Sequence, residues 1–322
     1  MLDKLSKYRN QILFIELAGL LHDIGKLSKA FLEYRQKWQD DPHGYDNDPH
    51  DHSYLERYEV FKNLIPSEFK KKINDIPALG KDGCINWEPD FSIEKAVHRH
   101  TQPGDALINK MLKAADGIDS AIDRNNPLFS AEQKDTIFKS NVFGYERGRV
   151  VTFESQEDAR QKLYRFLNSN LPAYFKGFGD EDRLDIIEGI KDAFEKGLAD
   201  TTRHSNDTTL WEHSYAVASI LKVLAVHNLL NDDEKSKIDN IKKVKFGILG
   251  IGWDGMRFMS YGQKIGDIVG RKEVVESVKD EIKKIIECKY PIGNEIYSDD
   301  NGIYFIVPVN LKNNLNNVWI GI

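Results

Sequence analysis

AGLLHDIGKLSKAF, residues Ala18–Phe31, decides how the rest of the chain is read. An aliphatic run with helical spacing carries His22 and Asp23 side by side, with Gly25 and Lys26 just beyond. Neighbouring side chains on a helix point about 100° apart, so the pair cannot serve a single packing surface. Either the two form part of a metal site, or a buried histidine stands beside a surface aspartate. Outward from the pair, helical spacing runs from Gln11 to about Trp38 and is interrupted near Asp23-Ile24-Gly25, where a helix can end or bend. QDDPHGYDNDPHDH, residues 39–52, is a polar loop, and helical patterning returns at Ser53–Leu64 and around Ser92–His100. TQPGD marks a break before a helix from Ala106 to Ile122, and residues 124–180 read as a helical insertion. Further helices fit Glu181–Lys196 and Thr208–Leu230, the latter with Asp207 or Thr208 as its N-cap.

The pattern changes after a charged stretch beginning at Asn231, and a domain boundary is expected between 231 and 243. VKFGILGIGWD is a β-type run ending in Asp254, a helix fits Lys272–Cys288, and EIYSDDNGIYFIVPV reads as a β-hairpin turning at Ser298–Gly302. With 322 residues the chain has room for two ordinary cores, and 30% charged against 40% hydrophobic residues marks a globular protein rather than a disordered one. No apolar run reaches the roughly 18–20 residues that span a membrane. Cys84 and Cys288 are too few and too far apart for a disulfide framework, which points to a reducing cytoplasm. A net charge of -6 supplies no global field for nucleic acid, although local patches can still bind it.

Imidazole nitrogens and carboxylate oxygens suit divalent Mn, Fe, Co, Ni or Zn, and a hydrolytic centre must keep a position open for water. Further ligands to join His22 and Asp23 are available at His52, His98, His100, Asp116 and His213. Each also has a plain structural role open to it. His52 lies in a polar loop with His43 and His50. His98 and His100 can complement a helix C-terminus. Asp116 and Asp119 fit polar positions of an amphipathic helix, and His213 fits a half-buried histidine.

Taken together, His22-Asp23 and the following Gly25-Lys26 resemble the HD superfamily of metal-dependent phosphohydrolases. In that superfamily a separate histidine normally precedes the pair, yet none of the 21 residues before His22 is a histidine. A circularly permuted HD domain, as in the large subunit of type III CRISPR effector complexes, would place it late, at His213. LLHDIGKL, AADGIDSA and ADTTRHSNDTTLWEHSYAVAS each resemble a segment of that permuted domain. The resemblance implies His22, Asp23, Asp116 and His213 as core metal ligands. It adds His52 and His100 as histidines for a second ion, with His98 as the fallback for His100. Asp23 would also serve catalysis, and Lys26 would stand near the scissile phosphate.

The same family places a nucleotide-cyclase-like palm domain after the HD domain. Asp254 in GILGIGWDGMRF then matches the first-strand acid, and Asp299 and Asp300 in YSDDNGIYFIVP match the hairpin tip that holds Mg²⁺-ATP in active members. GQKIGD, residues 262–267, resembles the segment between them. The tip lacks the paired glycines that let backbone approach phosphate, so an inactive or truncated palm is expected. The expected fold is therefore a mainly α HD-type domain at 1–235, then a smaller α/β palm-like (ferredoxin-like) domain at 240–322 within an N-terminal portion of a longer protein. The implied function is cleavage of single-stranded DNA with one or two Mn, Ni or Co ions, beside guide RNA and other effector subunits, in the cytoplasm and without a membrane partner. An HD phosphohydrolase of small or cyclic nucleotides, or a non-catalytic CRISPR scaffold, stays open as an alternative.

Overall fold

A computed structural model describes residues 1–28, 31, 63–77, 88–99, 106–124, 138–139, 153–199, 205–206, 208–230 and 245–309. The helices are α1 (Leu2–Lys7), α2 (Arg9–Leu21), α3 (Ile93–Arg99), α4 (Leu107–Arg124), α5 (Phe153–Gly177), α6 (Asp180–Phe194), α7 (Leu210–Leu230), α8 (Gly255–Ser260) and α9 (Ile265–Lys283). The strands are β1 (Phe138–Lys139), β2 (Ser205–Asn206), β3 (Phe246–Gly252), β4 (Asn294–Asp299) and β5 (Gly302–Pro308). The fold is mostly helical, with one small three-stranded antiparallel sheet. Among the described residues no helix is long and apolar enough to cross a membrane.

The chain divides into two compact units, one of Glu16–Ile76 and Asn86–Ala218, the other of Met1–Ile15, Pro77–Ile85 and Ser219–Ile322. The boundary expected between 231 and 243 lies outside the described residues, as do the polar loop 39–52 and most of the helix expected at 53–64.

In the first unit, the C-terminal part of α2 is buried on every side, from Glu16 to Leu21, which is the behaviour of a helix apolar all round. It carries one buried charge, Glu16, which accepts 2.6 and 3.1 Å hydrogen bonds from the Arg183 guanidinium of α6; a fork of this kind compensates two charges that would otherwise be costly to bury. The break expected near Asp23 is present. Helix α2 ends at Leu21, and a single 3₁₀ turn, Ile24–Lys26, follows. Directly after α5, Phe178 stands at φ 50°, a left-handed conformation uncommon for a large side chain. Its fully buried ring packs 4.7 Å from that of Tyr174 and 5.6 Å from that of Phe175, which holds it there.

Helix α7 starts at Leu210, two residues later than an Asp207 cap and one later than a Thr208 cap would set it. Thr209 directly precedes it and donates from its backbone N–H and its hydroxyl to the Glu212 carboxylate, a Thr-x-x-Glu pattern at a helix start. Asp207 itself lies outside the described residues.

In the second unit the strand order is β3-β5-β4, with Gly252 opposite Gly302 and Tyr297 opposite Tyr304. Period-two alternation is plain along β5, where Ile303, Phe305 and Val307 are buried and Tyr304 is exposed. The helix expected at Lys272–Cys288 begins earlier, at Ile265, and closes with a π turn at Lys284–Lys289. Lys222 of α7 is fully buried and donates to the Glu287 carbonyl of that turn and to Asn294 Oδ1 of β4.

Candidate metal centre

Three elements deliver the site. The end of α2 supplies His22 and Asp23, α4 supplies Asp116 and Asp119, and α7 supplies His213. His22, Asp23 and His213 are buried and each offers a ligand atom within 4.8 Å of the others. The two imidazole rings lie 5.5 Å apart, centre to centre. Asp23 Oδ2 is the hub, 3.4 Å from His22 Nε2, 3.2 Å from His213 Nε2 and 2.6 Å from Lys26 Nζ. Asp116 Oδ1 stands 3.5 Å from His213 Nε2 and accepts a hydrogen bond from the Ser120 hydroxyl.

Both histidines are oriented the same way. His22 Nδ1 lies 2.7 Å from the Gly19 carbonyl, an acceptor only, so Nδ1 carries the proton and Nε2 turns its lone pair toward Asp23. His213 Nδ1 lies 2.6 Å from Asp119 Oδ2, which leaves its Nε2 facing Asp23 and Asp116. That buried Nε2 meets neither carboxylate in hydrogen-bonding alignment. Two imidazole Nε2 atoms converging with carboxylate oxygens make a donor set that fits a divalent metal ion.

Burial pulls the His213 imidazolium toward deprotonation, but its contacts with the Asp119 and Asp23 carboxylates outweigh burial and the opposing Lys26 charge, and raise its pKa to about 9. A metal ion bound at Nε2 would take the place of that proton.

The side chains of Asp116, Asp119 and Lys26 are 27%, 21% and 14% exposed, so they mark the solvent side of a centre whose other groups are buried. Lys26 also donates to the Ala199 carbonyl at 3.0 Å. Because its ammonium already neutralises Asp23, it competes with any cation that binds there. Lys26→Gln is expected to bind Mn²⁺ about three- to tenfold more tightly, roughly 1 kcal/mol, as measured by calorimetric titration. Unchanged or weaker binding would mean that Lys26 supports the site instead.

Of the remaining residues named from sequence, His52 and His100 lie outside the described residues. His98, on α3, is not part of the His22, Asp23 and His213 group. Asp119 is the contact that sequence reading passed over, although its i,i+3 spacing from Asp116 puts both carboxylates on one helix face.

Asp254, Asp299 and Asp300 gather at one end of the sheet, since β3 pairs with β5 up to Gly252 opposite Gly302. The side chains of Asp254 and Asp299 serve local structure there. Asp254 Oδ1 accepts the Arg257 N–H at the start of α8, and Asp299 Oδ1 accepts the Asn301 N–H in the hairpin turn. The Asp300 carbonyl accepts from the Trp253 indole, and a Cβ on Gly255 would come within 1.7 Å of that same carbonyl oxygen, so only glycine allows α8 to begin against the tip. Lys264 and Asp267, in the segment between, form the first turn of α9. Among the described residues these acids form no group comparable to that around Asp23.

No protein-family model, curated protein or solved structure matches this chain.

Proposed function

We propose that the chain is a metal-dependent phosphodiesterase of the permuted HD type, acting as a nuclease on single-stranded DNA within the large subunit of a type III CRISPR effector. The observation that carries this reading is the meeting of His213, from a helix late in the chain, with the adjacent His22 and Asp23 at the end of α2. A sequence-adjacent pair completed by a distant histidine is what the permuted arrangement requires. The strand, helices and hairpin of β3 to β5 support it further, because a small nucleotidase has no need of such a unit.

In this reading His22, Asp23, His213 and Asp116 hold Mn, Ni or Co, and His52 and His100 serve a second ion. A divalent ion so held would supply an activated water and neutralise phosphate charge. The Nδ1 contacts of the two histidines leave each Nε2 turned toward Asp23, and Lys26, once released from Asp23, would be able to pair with the phosphate. Asp116, on the exposed side, would be the ligand nearest an incoming strand. Guide RNA and neighbouring subunits would provide most of the strand binding, given the net charge of -6. The β3–β5 unit is assigned a structural role, with no Mg²⁺-ATP turnover, because Asp254 and Asp299 are committed to the α8 start and the hairpin turn.

The deciding experiment is cleavage of end-labelled single-stranded DNA with Mn²⁺, Ni²⁺, Co²⁺ or Mg²⁺, run beside a His22→Ala/Asp23→Ala variant. Metal-dependent cutting that the variant abolishes is expected. Equal cutting by the variant would remove this site from the reaction. Cyclic or mononucleotide hydrolysis without strand cutting would move the assignment to a nucleotide phosphohydrolase.

A further inference from the structure

We infer that Asp119 is the positioning residue of the metal centre, the carboxylate that sets the ring orientation and donor strength of His213; the inference rests on the metal-site reading above. The Nδ1 to Oδ2 distance of 2.6 Å is that of a charge-assisted hydrogen bond. An imidazole that donates Nδ1–H to a carboxylate is held against a ring flip and becomes a more basic ligand at Nε2.

The two histidines differ in how this is done. His22 is fixed by a main-chain carbonyl, Gly19 O, which no side-chain substitution removes, whereas His213 depends on one replaceable side chain. Asp119 sits three residues after Asp116 on α4, so one helix face presents a carboxylate to each side of the His213 ring: Asp116 beside Nε2, Asp119 on Nδ1.

The test is calorimetric titration of the full chain with Mn²⁺, together with the visible absorption of its Co²⁺ complex, for the wild type, Asp119→Asn and Asp119→Ala. Asparagine keeps size and an acceptor oxygen but not the charge, so it keeps the fold and separates orientation from electrostatics. The expected order of affinity is wild type, then Asn, then Ala, with a total loss of about 10- to 100-fold and a changed Co²⁺ spectrum. A residue that only supported packing would lower the metal-free melting temperature without that ordered loss of affinity. Wild-type Mn²⁺ affinity and an unchanged Co²⁺ spectrum in Asp119→Asn and in any folded Asp119→Ala overturn the inference. Absence of saturable Mn²⁺ and Co²⁺ binding in the wild type overturns the metal-site reading and this inference together.

Discussion

An Asp23→Asn variant should bind Mn²⁺ on the order of a hundredfold or more weakly than the wild type, beyond the loss expected from removing a partner outside the ligand set. Asp23 Oδ2 is the atom on which the site converges, with both histidine Nε2 atoms within 3.4 Å and the Lys26 ammonium at 2.6 Å. The asparagine side chain fills the same volume, so the loss would report charge and ligand chemistry rather than a hole. In the metal-free protein the same change leaves the His213 imidazolium and Lys26 facing an uncharged amide in a buried setting. Removing one partner of a buried charge pair typically costs about 3–5 kcal/mol, so the metal-free melting temperature should fall as well. Titration calorimetry and thermal melts check the two effects separately. A variant that keeps wild-type metal affinity would show that the ion, if bound, does not use Asp23.

Metal binding should also tighten steeply with pH up to about 9, where the raised pKa of His213 lies, and level off above it. Below that pH a proton occupies the imidazole that the metal ion needs, so each ion bound should release close to one proton. Stability of the metal-free protein should move in the opposite direction. A histidine whose folded pKa is raised stabilises the fold fully below its unfolded value near 6.5, and that contribution is lost as pH rises through about 9. The span corresponds to about 3 kcal/mol as an order of magnitude. Metal-free melting temperatures between pH 6 and 10, compared with those at saturating Mn²⁺, check both slopes. A His213→Gln variant should flatten both curves across this window. If its metal-free curve keeps the wild-type slope, another group is responsible for that slope.

Much of the helical pattern was legible without coordinates, because burial on one face writes a 3.6-residue period into the sequence. The helices over α4 and α6 carry that period, α7 shows as a long apolar run, and the hairpin of β4 and β5 shows the two-residue alternation and turn residues of a strand pair. Boundaries were less legible. Thr209 caps α7 through Glu212, and a Thr-x-x-Glu match stood in the sequence, yet Asp207 and Thr208 are equally good capping residue types when judged alone. Helix α9 begins at Ile265, ahead of any strong apolar period, because Lys264 and Asp267 start it through local hydrogen bonds. Asp254 read as the end of a strand, whereas Gly255 allows a short helix to form directly against the hairpin tip and turns that carboxylate into its cap.

For the site, the sequence by itself determined which groups were available: an adjacent His22 and Asp23 at a helix break, a carboxylate at Asp116 and a histidine far along at His213. Adjacency and spacing are local properties, so they survive without a fold. Only the tertiary structure decided that His213 reaches Asp23, that both histidines present Nε2, and that Asp119 rather than solvent holds the second ring. Those facts depend on how α2, α4 and α7 pack, and on backbone acceptors such as Gly19 O that no residue identity announces. A ligand set is a matter of composition, but its direction is set by which surfaces the buried helices bring together.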